Sequence, residues 1–327
     1  MISIDTIISA AGRILWNPLL AVLVPIFLLR SGRAQSTDLE YLIPQIYAIL
    51  VLIHSILQLI VDATRTPNYN IENDVVVITG GSSGFGYELS KEFTRRRLAV
   101  AVLDIAVPEF EVAGVKYYLC DVRDNDEVIA VLETVRRELG VVTVLVNNAG
   151  ITHRGSIVNT SIKDIQKILD VNLLSHFFLS KAVLPRMLAA NRGYIVTIAS
   201  CLGYQSPINY AAYGASKAAL FAYHESLTFE LSPKDGVKTL LVVPGQMTTS
   251  MFSDIAPPLQ FLAPLIDPQD LARKTVRAIE LGQTGKISSP MYVNLMPILR
   301  ACPLWFVRIC RHLSGMDRVV RQSSVCS

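Results

Sequence analysis

The 327-residue sequence predicts an α/β protein in which a doubly wound parallel sheet of about seven strands is covered by helices on both faces. Two observations lead to this prediction. Between residues 74 and 293, short apolar runs of strand length alternate with amphipathic segments of helical spacing, which is typical of a parallel sheet. The first strand is followed at once by a glycine-rich turn over residues 79–86 and then by a helix. In such sheets, ligands bind at the carboxyl ends of the strands.

The predicted strands are short, and most of them are rich in β-branched or other apolar residues. They cover residues 75–79, 98–103, 115–119, 142–146, 194–198 and 238–243, with a late strand near residues 290–293. Helices are predicted between the strands. A long helix follows the fifth strand and ends at Glu230.

The composition points to a membrane-associated chain. Hydrophobic residues make up 51% of the sequence, charged residues only 17%, and the mean hydropathy is +0.40. Because the apolar excess lies in the first 61 residues and again after about residue 290, we divide the chain into four parts. They are a membrane anchor of one or two apolar segments (1–61), a linker (62–73), the α/β domain (74–293) and a basic amphipathic tail (294–327). A net charge of +3 without a basic patch excludes nucleic acid as the expected partner.

Two uncharged runs lie in the anchor. Residues 41–61 would reach about 31 Å as a helix, enough to cross a hydrocarbon core of roughly 30 Å. Residues 14–29 are shorter and contain Pro18 and Pro25, which favours an interfacial piece or one half of a helical hairpin. A buried pair of soluble helices is the alternative interpretation.

The tail combines arginines with large apolar residues such as Trp305. Its arginines are separated by 8, 3, 7 and 3 residues, which predicts that they share one side of a helix. They are Arg300, Arg308, Arg311, Arg318 and Arg321. Such a helix is typical of segments that lie on an anionic leaflet, and a terminal helix packed on the domain is the alternative.

The glycine-rich turn reads Thr-Gly-Gly-Ser-Ser-Gly-Phe-Gly. Unpaired N–H groups at a helix N-terminus and the helix dipole both favour negative charge, so we expect the loop to bind the pyrophosphate of a dinucleotide. A phosphate-binding P-loop is disfavoured because Tyr87, not lysine, follows the last glycine. Tight packing of strand on helix is the non-functional explanation. The loop residues predicted to contact the cofactor are Gly80, Ser82, Ser83, Gly84 and Gly86.

Asp104 follows the second strand, 18 residues after Gly86. An acidic residue there accepts hydrogen bonds from both ribose hydroxyls and repels a 2′-phosphate. The glycine loop contains no arginine or lysine, and Ile105 follows Asp104. The sequence therefore predicts NAD rather than NADP.

Ser200 follows the fifth strand, Tyr213 comes 13 residues later, and Lys217 stands four residues beyond Tyr213 on the predicted long helix. The four-residue step places the phenol and the ammonium on one helix face. The ammonium, with an oxidised nicotinamide adding positive charge, stabilises a phenolate, so we expect a lowered pKa for Tyr213, which could then exchange protons with an alcohol or a carbonyl. Ser200 would hold the reacting oxygen.

Taken together and in this order, the motifs in residues 74–293 resemble those of the short-chain dehydrogenase/reductase family, whose sheet is Rossmann-like. The motifs are the glycine loop, Asp104, Asp121, Asn-Asn-Ala-Gly at residues 147–150, Val171-Asn172, Ser200, Tyr213 with Lys217, and Pro244-Gly245. The resemblance implies that Tyr213 is the general acid/base and that Lys217 binds the nicotinamide ribose. It further implies a water-binding role in a proton relay for Asn172, cofactor contacts for Asp121, Val122, Asn148 and Ala149 on the adenosine side, and a contact of Thr249 with the nicotinamide carboxamide. Turn chemistry alone would also account for Asp121 and the paired asparagines.

The segment 251–266 is rich in Met, Phe, Leu, Ile and Pro, and in this family the corresponding stretch covers the substrate. An apolar cover favours a hydrophobic alcohol or ketone, although an ordinary packed loop has the same composition. The layout resembles the membrane-anchored branch of type 11 17β-hydroxysteroid dehydrogenase and retinol dehydrogenase 10, which implies a lipid, sterol or retinoid-like substrate and a place at the endoplasmic reticulum or lipid droplets. Family members often form dimers, so the resemblance also implies a homodimer. An NADPH-dependent ketoreductase of lipid synthesis and a non-catalytic dinucleotide-binding scaffold are the alternatives.

Cysteine and histidine positions predict neither a disulfide framework nor a metal site, because no C-x-x-C pair and no metal-ligand spacing of histidines occurs. Unpaired cysteines and the basic tail favour a cytosolic domain. Asn159 begins a glycosylation sequon, but Ser161, with Asp164 three residues later, also fits a helix N-cap, the interpretation that we favour. The cysteines are Cys120, Cys201, Cys302, Cys310 and Cys326.

Overall fold

The computed structural model describes residues 17–31, 39–64, 74–231 and 235–323, together with residues 3 and 5. The chain divides into two compact units, Met1–Pro67 and Asn68–Ser327. Most of the predicted linker, the first residues of the first apolar run and Cys326 lie outside the described residues.

The N-terminal unit contains two apolar helices, α1 (Pro18–Arg30) and α2 (Leu39–Thr64). The Asn17 side chain accepts a hydrogen bond from the Leu19 N–H at 3.0 Å, as expected of a residue that caps a helix. The two helices pack together through Ala21, Ala48 and Val51. Most of their other large apolar side chains are exposed, so this pair is apolar on its outside as well as at its contact.

Among the described residues, one helical stretch, Ile162–Ala189, has the length and hydropathy of a membrane-spanning helix. It belongs to the α/β unit, where nearly half of its most apolar part is buried. The apolar portions of α1 and α2, Pro18–Leu28 and Leu42–Leu57, are shorter than that criterion. Membrane crossing by the N-terminal segments therefore stays a prediction.

The second unit is built on a seven-stranded parallel sheet, which confirms the predicted fold class. Its order is β3-β2-β1-β4-β5-β6-β7. Strands β2 and β3 lie on one side of β1, and the chain then crosses over to add β4 to β7 on the other side. The crossover leaves a crevice at the carboxyl ends of β1 and β4. The strands are β1 (Val75–Thr79), β2 (Ala99–Asp104), β3 (Val115–Leu119), β4 (Val142–Asn147), β5 (Gly193–Ile198), β6 (Val237–Pro244) and β7 (Gly285–Ser289).

Helices cover both faces of the sheet. Val75 and Val77 of β1 face one core layer, whereas Val76 and Ile78 face the other, because successive side chains of a strand alternate. The helices are α3 (Gly84–Arg95), α4 (Asn125–Glu138), α5 (Ile162–Leu169), α6 (Ser175–Ala189), α7 (Ala211–Glu230) and α8 (Pro268–Glu280). A π-helical turn, Asp170–Leu174, joins α5 to α6. Ser161 caps α5 by accepting from the Asp164 N–H at 3.1 Å, which confirms the cap predicted beside Asn159.

The seventh strand lies before the predicted position. Residues 290–293 were predicted to form it, but Met291–Asn294 is a short 3₁₀ helix and β7 ends at Ser289. Pro290 has no N–H to donate to a ladder, so the strand cannot continue through it. β7 is an edge strand with only one neighbour, β6, and its Gly-Lys-Ile-Ser-Ser sequence lacks the apolar run that marks a central strand.

The C-terminal tail packs on the α/β domain as three short helices, α9 (Met296–Leu299), α10 (Leu304–Ser314) and α11 (Met316–Ser323). The expectation that its arginines share one side of a single helix is wrong, because Pro303 precedes α10 and Gly315, with φ of +68°, ends it. Arg300 turns inward and donates to the carbonyl of Tyr204 at 3.2 Å. Val307 and Val320 are buried.

Candidate active site

The glycine loop is shaped by close backbone contacts that exclude side chains. Gly80 has φ of +64°, and a Cβ added to it would lie 2.8 Å from the Ala149 Cα. A Cβ on Gly86 would lie 2.2 Å from the Gly80 carbonyl oxygen, nearer than any real contact. Gly84 also has a left-handed φ, +54°. These positions therefore require glycine, and the loop is a backbone cradle of the kind that a pyrophosphate fills.

Ser83 stands at the N-cap of α3, but its side chain makes no capping hydrogen bond. The first N–H groups of α3 thus have no side-chain acceptor from the cap residue, which fits a helix start that receives an anion. Ser82 Oγ donates to the Ala106 carbonyl at 2.6 Å, and the Ser82 N–H donates to Asp104 Oδ2 at 3.0 Å. Asp104 is therefore held at the loop, at the end of β2, as the dinucleotide prediction requires.

Thr79 fastens the end of β1 to the turn after β4. Its Oγ1 accepts from the N–H groups of Asn148 and Ala149 at 3.1 and 3.0 Å. Asn148 Nδ2 in turn donates to the carbonyls of Thr79 and Gly80 at 3.0 and 2.9 Å. The Asn148 amide nitrogen is thus committed to shaping the glycine loop, a structural role that the sequence resemblance did not indicate.

The remaining predicted cofactor residues lie around the same strand ends. Asp121 is bound by the Arg123 guanidinium, whose Nε lies 2.9 Å from Oδ2, and this hydrogen bond lowers the pKa of the carboxyl. Val122 is buried in the core layer under the loop. Thr249 lies over the glycine loop, because a Cβ on Gly84 would be 3.7 Å from its methyl group.

Tyr213 and Lys217 stand one turn apart on α7, and both are buried. Lys217 Nζ lies 6.0 Å from the centre of the Tyr213 ring and donates to the Ile198 carbonyl, at the end of β5, at 3.0 Å. Ser200, two residues beyond that carbonyl, hydrogen-bonds to the Tyr213 phenol. The structure therefore brings the three predicted residues together.

The predicted lowering of the Tyr213 pKa is not found in the protein alone. Burial raises the pKa of Tyr213 well above its usual value, and the Ser200 hydrogen bond opposes this only in part. Burial also lowers the pKa of Lys217 to about 8, because the charged form is the one that desolvation disfavours. The Lys217 ammonium therefore loses its proton more readily than an exposed lysine. Its positive charge does not compensate for the desolvation that raises the pKa of Tyr213.

Asn172 lies in the π-helical turn that precedes α6, a local irregularity frequent at functional sites. Its Oδ1 accepts from the Ile151 N–H at 2.8 Å, and its Nδ2 donates to Ser216 Oγ at 3.0 Å. Asn172 Oδ1 and Lys217 Nζ are each 3.5 Å from the position of a Cβ on Gly150, so the two groups flank one small space. All four predicted catalytic residues therefore converge.

Sequence reasoning missed a polar cluster beneath Lys217. His176 is almost fully buried and neither ring nitrogen has a hydrogen-bond partner, while His224 Nδ1 lies 3.0 Å from Thr197 Oγ1. Asn147, which pairs with Thr197 across the sheet, also has a buried amide without a partner. Burial lowers the pKa of both histidines. Little in the sequence indicated this cluster, since a single histidine inside an apolar helix usually has only a packing role.

A cavity of about 480 Å³ begins at Ser200 and Gly245, and its walls are mostly apolar. Phe252, which belongs to the predicted apolar cover, lines it and lies 5.7 Å from the Tyr213 ring, edge to face. The far wall comes from the C-terminal tail, through Leu299, Val307 and Leu313. No group of three or more metal-ligating side chains occurs in the described part of the chain.

The two halves of the site define the class of protein. A dinucleotide bound by the glycine loop would lie at the strand ends, and the Tyr213 phenol there is hydrogen-bonded to Ser200, where the apolar cavity begins. This is the arrangement of a nicotinamide-dependent oxidoreductase. The family model described as short chain dehydrogenase matches residues 74–260. The chain belongs to the short-chain dehydrogenase/reductase family.

Known proteins resemble this chain over most of its length. The uncharacterized oxidoreductase YDL114W of Saccharomyces cerevisiae is 36% identical over 272 residues, covering 79% of this chain and 88% of the relative. Retinol dehydrogenase 10-A of Danio rerio is 31% identical over 292 residues, covering 78% and 86%. The structure of Thermoplasma acidophilum aldohexose dehydrogenase superposes with a TM-score of 0.61 at 26% identity, covering 68% of this chain and 94% of that one. Within the family, the chain groups with retinol and hydroxysteroid dehydrogenases.

Proposed function

We propose that the protein is a membrane-bound, NAD-dependent dehydrogenase that interconverts a hydrophobic alcohol and its carbonyl compound, the alcohol being a lipid, sterol or retinoid-like molecule. The observation that carries the proposal is the apolar cavity that starts at Ser200 and extends to the C-terminal tail. A cavity of about 480 Å³ lies in the range of small-molecule sites. Most of its wall area is apolar, although Gln205, Gln246 and the Arg311–Asp317 pair also line it, and this favours a substrate with a long apolar body.

The chain's own residues supply the acid–base chemistry. Tyr213 takes the proton of the substrate hydroxyl during oxidation and returns it during reduction, and Ser200 positions the oxygen between them. Lys217, with a pKa of about 8, would pass that proton away from the phenol to a water held by Asn172 beside it. NAD, when bound, supplies the hydride acceptor and a positive charge that favours the phenolate. Such a charge would oppose the desolvation that raises the pKa of Tyr213 in the protein alone.

Asp104 supports NAD as the cofactor. Its carboxylate is fixed at the loop by the Ser82 N–H, in the place where a 2′-phosphate would stand. The residues after it, Ile105 and Ala106, offer no positive charge. A preference for NADPH would instead support the ketoreductase alternative.

The N-terminal helices support membrane attachment, because their outward faces are apolar and would be unfavourable in water. The proposed location is the endoplasmic reticulum or lipid droplets, with the catalytic domain in the cytosol. Asn159 is exposed and would be glycosylated in the lumen. A glycosidase-sensitive shift of the full chain expressed in eukaryotic cells, absent in Asn159→Gln, would contradict the cytosolic assignment.

The proposed function is tested with the purified full chain in lipid nanodiscs. The protein is incubated with NAD or NADP and a panel of sterols, retinol and long-chain alcohols, or with the reduced cofactors and the matching carbonyl compounds. Absorbance of the reduced nicotinamide reports turnover. We expect turnover with NAD that falls by roughly 10²- to 10⁴-fold in Tyr213→Phe. Tyr117→Phe, which removes a phenol hydroxyl on β3 that accepts from the Val112 N–H, is the matched control.

Two outcomes would count against the proposal. Dinucleotide binding without turnover of any panel member would favour the non-catalytic scaffold. Turnover restricted to NADPH and carbonyl compounds would favour the ketoreductase. Sedimentation of the same sample tests the homodimer that is expected from the family.

A further inference from the structure

Two segments far apart in sequence expose large apolar side chains around one end of the cavity. The first is the loop at residues 257–265 that follows β6, and the second is the tail at residues 295–313. We call their exposed apolar residues the mouth surface. Each of them is between 37% and 68% exposed. They are Leu259, Phe261, Leu262, Leu265, Leu295, Ile298, Leu304, Trp305, Phe306, Ile309 and Leu313.

The cavity opens between these two segments. Leu259, Leu262 and Leu313 line the cavity, yet they are 43%, 45% and 68% exposed. The segments are neighbours, since a Cβ on Gly315 would lie 3.3 Å from the Pro258 side chain. The cavity therefore runs from Ser200 inside the domain to the mouth surface outside it.

Helix α10 presents two different faces. Val307, Cys310 and Arg311 turn towards the cavity, and Arg311 is held there by Asp317, whose Oδ1 lies 2.8 Å from its Nη2. Trp305 and Ile309, four residues apart, are exposed on the opposite side, and Leu313, one turn further on, is exposed at the edge of the cavity. A surface helix of a soluble protein packs one apolar face on its domain and is normally polar on the other. A second, exposed apolar face therefore indicates a further binding surface.

Positive charge borders this exposed apolar face. Arg308 and His312, also four residues apart, are exposed on the row next to it, and Arg318 and Arg321 are exposed on α11. Between residues 291 and 323 the sequence has five arginines and one acidic residue, Asp317, which is already paired with Arg311. Exposed apolar residues bordered by cations, with a tryptophan among them, match an anionic lipid surface better than a second copy of the same positive face.

We propose that the mouth surface docks on the anionic leaflet of a membrane, so that the cavity opens into the lipid and a hydrophobic substrate enters it without crossing water. The docking contact is additional to the N-terminal helices. The route of the substrate rests on the proposed function, whereas the docking itself does not. α10 lies along the leaflet, with Trp305 at the level of the headgroups.

The test uses tryptophan fluorescence. The chain has two tryptophans, so a Trp16→Phe variant of the full chain leaves Trp305 as the only one. This protein is reconstituted into vesicles of phosphatidylcholine with or without phosphatidylserine, each containing lipid brominated near the top of the acyl chains. We expect bromine to reduce Trp305 fluorescence about twofold in the anionic vesicles, and much less in neutral vesicles or at high salt.

A charge variant links docking to substrate entry. Arg308→Gln with Arg318→Gln should abolish most of the bromine quenching and raise the KM for a vesicle-borne alcohol roughly 25-fold, at about fivefold per arginine for contact with the leaflet. Its turnover of a short, water-soluble alcohol should not change. Lys163→Gln with Lys181→Gln removes the same charge from exposed positions on α5 and α6 and is the matched control.

Three results would overturn the proposal. They are Trp305 fluorescence that bromine leaves unchanged while aqueous acrylamide quenches it, equal quenching in neutral and anionic vesicles, and protection of Trp305 that instead follows protein concentration. The last would identify a second copy as the occupant. Because the quenching measurement needs no turnover, failure of the proposed function would leave docking testable, and failure of docking would leave turnover in nanodiscs intact.

Discussion

The Asp104 carboxylate accepts a hydrogen bond from the backbone N–H of Ser82 at 3.0 Å, so one negative charge joins the end of β2 to the glycine loop. Asp104→Ser keeps a hydrogen-bond acceptor there but removes the charge. We expect NADH affinity to fall about tenfold, because hydrogen bonds to charged groups are the stronger ones. NADPH affinity should rise. Fluorescence titration with both reduced cofactors measures the change, and Glu109→Gln, an exposed charge loss in the following loop, is the control. Unchanged selectivity would remove Asp104 as the selector.

Gly86→Ala should destabilise the fold as well as weaken cofactor binding. Its Cβ would lie 2.2 Å from a backbone oxygen and 2.5 Å from Asn148 Nδ2, so α3 must shift away from the loop. A loss of about 1 to 3 kcal/mol in the free energy of unfolding is expected from such overpacking. Thermal unfolding without cofactor checks the prediction. Gly150→Ala, whose Cβ meets its neighbours at an ordinary 3.5 Å, should unfold near the wild-type temperature.

His224 should make the protein sensitive to acid. Burial lowers its pKa from the ordinary 6.5 to about 4, so the folded protein favours the neutral imidazole. This contribution to stability is complete above pH 6.5 and is lost as the pH falls from there towards 4. The loss reaches on the order of 3 kcal/mol once the pH is below both values. His176, whose pKa is also lowered by burial, adds a loss of the same sign.

Urea unfolding of the wild type and of His224→Gln, measured at a series of pH values from 7 to about 4, checks this prediction. The glutamine can keep a hydrogen bond to Thr197 but does not titrate. The variant should therefore lose less stability than the wild type over the same range. Parallel curves for the two proteins would contradict the assignment.

Asp317→Ala should affect the active site although residue 317 lies in the tail. Asp317 holds Arg311 and also accepts from the Ile208 N–H at 3.0 Å, in the loop that leads to Tyr213. A loss of about 1 to 2 kcal/mol in stability is expected, since the pair is partly exposed. A raised KM should accompany it. Asp270→Ala, whose partner Arg273 is exposed on α8, should change neither quantity.

The central strands could be located from sequence because each is buried on both faces and so appears as a short apolar run. Six predicted strands match the structure to within one residue at either end. One of them, β3, is the other edge strand and is only partly buried, but its Val-Lys-Tyr-Tyr-Leu sequence is still rich in strand-forming residues. β7 could not be found in this way. An edge strand with one neighbour needs no apolar run, and the more apolar Met-Tyr-Val that follows Pro290 cannot join the ladder.

The site divides in the same way. The spacing between Tyr213 and Lys217 and the glycine pattern are local, and geometry within a few residues turns them into a helix face and a loop. The orphaned His176 became notable only when α6 was packed over β4 and β5. The cavity also required tertiary structure, because its walls come from residues 200–210, 245–263 and 292–320 together.

By itself, the sequence determined the order of strands and helices, the glycine loop, the catalytic spacing and the apolar character of both ends. Hydrophobic periodicity and backbone sterics depend only on residues close together in the sequence, so these features can be predicted from the sequence directly. Tertiary structure alone decided that burial raises the pKa of Tyr213, that the tail closes the cavity as three short helices, and that part of α10 remains exposed at its mouth. Desolvation and packing depend on which segments, distant in sequence, come into contact in the fold. Local sequence patterns do not specify these contacts.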